Sequence, residues 1–213
     1  MKKPKLSKQI TVCENLSQLW EMNLSAENEI RALSFQRQTI CQTNFYRAEF
    51  VSCIFQNVHF YNCDADKISF TDCEFHSCDF SLLPMPDASF TRCSFCECKL
   101  EGINLTDAAM QDICFDRCNL RCTNFSFAKI KHTEFLHCIL TDSCFSSCSL
   151  KTSLWNECDL SGCNFFQTPL SGLDLSSCRL EGIIASPDDL AGVLLAPQQA
   201  AEIIGLFGIK VKN

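Results

Sequence analysis

"FTDCEFHSCDF", residues 70–80, places an aromatic at Phe70, Phe75 and Phe80, and a thiol two residues before the second and third of them, at Cys73 and Cys78. A spacing of five matches neither the 3.6-residue turn of a helix nor the two-residue alternation of a strand. Outward from this stretch the period holds. From Ile30 to Leu180 every fifth residue is a large apolar one except Ala65, and the register never slips. Two residues before these centres stand mostly small or β-branched residues, and most of the 18 cysteines occupy that place.

One geometry satisfies the pattern. If each pentapeptide is a short extended side followed by a turn, the centre (i) and residue i−2 share the inward face, while i−1, i+1 and i+2 meet solvent. Four sides close a square coil of about twenty residues, and coils stack as parallel strands about 4.8 Å apart. Sorted by twenty, one side carries an aromatic ladder (Phe35, Phe55, Phe75, Phe95, Phe115, Phe135, Trp155). Another carries a thiol column from Cys78 to Cys178 at i−2. The predicted fold is all-β: a quadrilateral parallel β-helix of about eight coils with a C-terminal capping helix.

The 213 residues are 46% apolar and 20% charged, which reads as folded, and seven Gly with six Pro leave little room for linkers. A net charge of −7 argues against direct nucleic-acid binding and against an anionic membrane surface. The start "MKKPKLSKQITVC" has no apolar run of signal-peptide length, and no stretch approaches a transmembrane span, so a cytoplasmic protein with reduced thiols is expected.

The repeat resembles the pentapeptide-repeat family, whose motif is Ala-(Asp/Asn)-(Leu/Phe)-X-X and whose fold, a right-handed quadrilateral β-helix, the resemblance implies here. The resemblance rests on "CDF" 78–80, "INL" 103–105, "CNL" 118–120, "TNF" 123–125, "CDL" 158–160, "CNF" 163–165 and "LDL" 173–175, with Cys in place of Ala, over about residues 28 to 182. It divides the chain into an N-terminal cap (1–27), the β-helix (28–182) and a C-terminal cap with a short helix (183–213). In the last of these, Ser186-Pro187 and Pro197 read as helix starts and Gly208 as a stop. Ala200, Ile203, Ile204 and Phe207 form an apolar stripe at helical spacing. "DLAGVLL", Gln199-Ala200 and "GLFGIKV" are similar to the tail of the quinolone-resistance members, and of other bacterial members besides. That likeness implies a cap or a homodimer contact at Ala200, Ile203, Ile204 and Phe207.

Nothing in the sequence points to catalysis, a cofactor or a metal. His59, His76, His132 and His137 all fall at outward positions, and no nucleophile elbow, phosphate loop or zinc-protease motif is present. Cys93-x-x-Cys96 has zinc-ligand spacing, but the repeat sends Cys93 inward and Cys96 outward. Cys41, Cys96, Cys114, Cys122 and Cys144 take outward places, where a thiol is open to reaction.

The quinolone-resistance members bind DNA gyrase or topoisomerase IV without catalysis, their acidic rods having been proposed to mimic duplex DNA. The resemblance implies the same partners here. The aromatic-ladder side bears Glu74, Glu97, Asp116, Glu134, Glu157 and Asp174 against Arg37 and Arg117, six acids to two bases and net −4. The side centred on Phe50, Phe70 and Phe90 is net +1, with five basic residues against Glu29, Glu49, Asp72 and Asp112. One acid per coil of about 4.8 Å is sparse beside one charge per about 1.7 Å of duplex. The resistance members of proteobacteria interrupt their coils with loops; here only "SLLPMPDAS" 81–89 looks irregular. The alternative expectation is a scaffold of the same fold with another protein partner.

Overall fold

In this computed structural model, which describes residues 1–23 and 28–206, the chain winds into a stack of four-sided coils. Faces 1 to 4 are numbered here by their first centres, Ile30, Phe35, Ile40 and Phe45. Face 1 is a seven-stranded parallel sheet from Glu29–Arg31 to Ser149–Lys151. Face 2 has eight strands, from Thr11–Cys13 to Leu154–Asn156. Partners are twenty apart, Phe70 on Phe90 and Phe75 on Phe95. Faces 3 and 4 are held mostly by single bridges such as Asp79 to Lys99 and Asn104 to Asn124.

Nearly every pentapeptide turns its corner at i+2, where the backbone takes a positive φ; Asp72, Arg92, Glu97 and Arg117 lie between 51° and 57°. A non-glycine residue in that region costs on the order of 1–3 kcal/mol. The coil above offsets this by taking the corner N–H, as in Asp72 to the Thr91 carbonyl at 2.9 Å and Arg117 to that of Leu136 at 2.9 Å. Few of these corners carry glycine, so the sequence did not announce them.

Inside, the rings of Phe55, Phe75, Phe95, Phe115, Phe135 and Trp155 stack at centroid distances of 4.2 to 5.2 Å. The i−2 residue does more than fill space. Where it is Cys, its side chain in most cases donates to the carbonyl of a centre in the coil below: Cys98 Sγ to Phe75 at 3.5 Å, Cys118 to Phe95 at 3.5 Å, Cys138 to Phe115 at 3.4 Å. Thr123 and Ser143 make the same bond at 3.0 and 2.7 Å, so Cys, Ser and Thr are interchangeable donors there. Burial pushes the Cys148 and Cys163 thiols up to about 12, which keeps them in the donating, protonated form. All 18 cysteines are free.

On faces 3 and 4 the Asn or Asp at i−1 accepts the N–H of i+1, as in Asn104 to Thr106 at 3.1 Å and Asp159 to Ser161 at 3.1 Å. This corrects the reading of 81–89 as irregular. Pro84 still bridges Asn104, Leu83 and Met85 are buried, and Leu82 and Asp87 turn ordinary corners. Pro86 has no N–H to cap, so Pro84 needs no capping side chain.

At the start of the rod, the helix α1 (Leu16–Asn23) begins at Asn15, whose side chain accepts the Gln18 N–H at 3.0 Å. It buries Leu16 and Trp20 over the first coil, and the Trp20 indole donates to the Asn44 carbonyl at 2.8 Å. Residues 1–10 do not cover this end; they run back along the outside of the rod. At the other end the coil continues past 182, through bridges Asn164 to Ile184 and Asp174 to Leu194. Ser186-Pro187 opens a turn rather than a helix, because the Asp189 carboxylate takes both the Ser186 N–H and its hydroxyl. The helix α2 (Pro197–Leu206) starts at Pro197; Gly208 lies outside the described residues.

Candidate interaction surfaces

Face 2 gathers the six predicted acids on one side of the rod, but not in one column. Glu74, Glu134 and Asp174 precede their centres, Asp116 follows its centre, and Glu97 and Glu157 sit at corners. Several have cationic or titratable neighbours. Arg117 reaches Asp116 at 2.9 Å and Glu97 at 3.3 Å, Glu74 lies 3.3 Å from His76, and Glu157 lies 3.2 Å from His137. Asp174 accepts the Ser176 hydroxyl at 2.6 Å and N–H at 3.0 Å, and those bonds hold its carboxyl below the usual range.

A feature the sequence did not suggest lies along the corner between faces 1 and 2. Residues 1–8 run there as an extended strap before Thr11–Cys13 pairs with Leu33–Phe35. The Lys2 N–H donates to Asp112 Oδ1 and the Lys5 N–H to Asp72 Oδ1, both at 2.9 Å; the Ser52 hydroxyl donates to the Lys5 carbonyl at 3.1 Å. Arg92 clamps Asp72 from the coil between, Nε to Oδ1 at 2.6 Å and Nη2 to Oδ2 at 2.7 Å. Burial raises the Asp72 carboxyl, but Arg92 and the Lys5 N–H outweigh it and leave it below its ordinary value. Asp112 is likewise lowered: burial opposes, and the Lys2 N–H, Gln111 and His132 prevail. The only sequence signal was the stacking of Asp72, Arg92 and Asp112 at steps of twenty, opposite a lysine-rich N-terminus.

The predicted cap stripe is reached in part. Ile203 is buried and Ile204 half-buried, Ala200 faces solvent, and Phe207 lies outside the described residues. Gln199 goes inward in place of Ala200 and covers carbonyls at the end of the rod. Its amide donates to Leu175 at 2.9 Å and to Cys178 at 2.6 Å.

Of the outward thiols, Cys41 and Cys122 are exposed, whereas Cys96, Cys114 and Cys144 are half-buried. Burial, then Glu134 and Asp116, push Cys114 up to about 11, away from the reactive thiolate. Cys93 donates to the Phe70 carbonyl inside the rod, while Cys96 lies outside beside Arg117, so the pair shares no ligand direction. Among the described residues no three His, Cys, Asp or Glu side chains converge as a metal set, and no helix is long and apolar enough to cross a membrane.

Family models described as "Pentapeptide repeat region" and "Pentapeptide repeats (8 copies)" match residues 68–138, and 53–82 with 143–182, together more than half of the chain. Solved structures similar to it include QnrB1, a plasmid-mediated fluoroquinolone resistance protein (17% identity, 96% of this chain and 98% of that one, TM-score 0.45). Another is HetL of the cyanobacterium Nostoc, involved in heterocyst differentiation regulation (13% identity, 86% and 98% covered, TM-score 0.31). No curated protein matches the sequence significantly.

Proposed function

The chain belongs to the pentapeptide-repeat family, and from that membership we propose that it works without catalysis, as a rod that binds DNA gyrase or topoisomerase IV through face 2. The observation that carries this reading is the collection of Glu74, Glu97, Asp116, Glu134, Glu157 and Asp174 on one side of an uninterrupted rod. A rigid acidic face presents its carboxylates without an ordering cost on binding, which suits a basic groove shaped for duplex DNA. Residues Ala200, Ile203, Ile204 and Phe207 are the proposed contact of a homodimer.

A second reading, a scaffold for another protein partner, is favoured by the pairing of Glu97 and Asp116 with Arg117 and by the lysines of the strap, which lower the charge that a duplex mimic needs. Titrating the protein over immobilised gyrase and topoisomerase IV at low and high salt separates the two. Binding that weakens steeply with salt supports the first. No binding to either enzyme at low salt leaves the scaffold.

A further inference from the structure

We propose that the corner between faces 1 and 2 is a docking groove for an extended, lysine-rich peptide segment, filled here by the chain's own residues 1–8. The contacts that hold the strap reach its main chain: two N–H groups to Asp112 and Asp72, and one carbonyl to Ser52. Such contacts grip any extended segment. The spacing is commensurate as well. Lys2 and Lys5 are three residues apart, about 10 Å in an extended chain, and Asp112 and Asp72 are two coils apart, about 9.6 Å. The segment therefore meets the two carboxylates with N–H groups three residues and two coils apart.

The docked strap closes this corner against solvent. Ser52, Asp72 and Asp112 are 8%, 7% and 3% exposed, whereas Glu97, Arg117 and His137, at the equivalent corner one face on, are open to solvent. Without the strap, two carboxylates line a trough that borders the acidic face.

Charge selects the kind of occupant. Lys2, Lys3, Lys5 and Lys8 are exposed, and none makes an ion pair among the described residues. They border a face of net −4, so a docked strap offsets that charge, and its release restores the negative field. A competing segment needs an extended backbone and several lysines or arginines, and it must overcome a tethered rival whose effective concentration is about millimolar. This groove is a different surface from the topoisomerase contact proposed above, and it stands whether or not that enzyme binds.

The test uses the full chain. Lys2→Pro with Lys5→Pro removes both N–H donors and leaves every rod residue untouched. A fluorescent peptide with the sequence of residues 1–10 is titrated by anisotropy against this variant and against the unaltered chain. The proposal expects the variant to bind, the unaltered chain to bind about tenfold more weakly or less, and Asp72→Ala with Asp112→Ala in the variant to abolish binding. A peptide carrying Glu for each Lys should not bind. Equal binding to variant and unaltered chain, or no binding to the variant, overturns it. So does rapid hydrogen exchange of the Lys2 and Lys5 amides in the unaltered chain, because the strap would then not be docked.

Discussion

The thiol at i−2 meets two needs: it is small enough for the corner and it donates to the carbonyl of a centre in the coil below, as Cys118 does to Phe95. Thr123 and Ser143 meet the second need with a hydroxyl, which explains why these three residue types share the position. Cys118→Ala should therefore lose about 1 kcal/mol for the lost hydrogen bond, over and above the lost volume. Cys118→Ser should recover part of that loss in urea denaturation, and a serine variant less stable than the alanine one would show that volume alone decides. The inward positions were legible because the five-residue period separates them from the rest. The donor role was not, since the accepting carbonyl lies 23 residues away and belongs to a different side of the previous coil. The corners were also hidden: positive φ at Arg37, Phe127 or Thr152 follows from coil geometry, without the glycine that usually announces it.

Among the elements, the strap was the least legible. Residues 1–10 carry no repeat, and their hydrogen bonds use main-chain groups, which every sequence has. The end of the rod was read more closely at Pro197 than at Ser186, because a proline at the first helical turn and a serine opening a capped turn look alike in sequence. The strap has a pH signature. Asp72 and Asp112, faced by Arg92, His132, Lys2 and Lys5, are both held below their ordinary values. A depressed carboxyl contributes stability that is complete above its unfolded value and is lost as pH falls through the folded one. Docking should accordingly persist at neutral pH, begin to weaken as the pH falls below about 4 and fail at a lower pH still. Limited proteolysis after Lys2 to Lys8 with an acid-active protease, compared with a neutral one, reads this out; a strap equally protected at both would contradict it.

For the whole molecule, each coil contacts chiefly its neighbours, so the rod should tolerate the loss of a complete coil but not of a single side. Deleting residues 141–160 leaves every face in register and clear of the strap contacts, and should keep cooperative thermal unfolding with the same β-sheet circular dichroism. Deleting 141–145 moves each later side onto the next face, sets Trp155 off the Phe135 ladder and should cost most of the cooperativity. The stack was readable from the sequence because one register runs through the chain. The state of its surface was not, because the charge of face 2 depends on Arg117 and on a strap that folds back over many coils. The central claim is that face 2 binds a type II topoisomerase. It is tested most directly by titrating the protein into a gyrase supercoiling assay, with and without a fluoroquinolone, beside the Glu97→Lys, Asp116→Lys, Glu134→Lys variant. Inhibition or drug rescue by the unaltered chain that is lost in the variant is the predicted result. No effect at saturating protein, or the same effect from the variant, would contradict it.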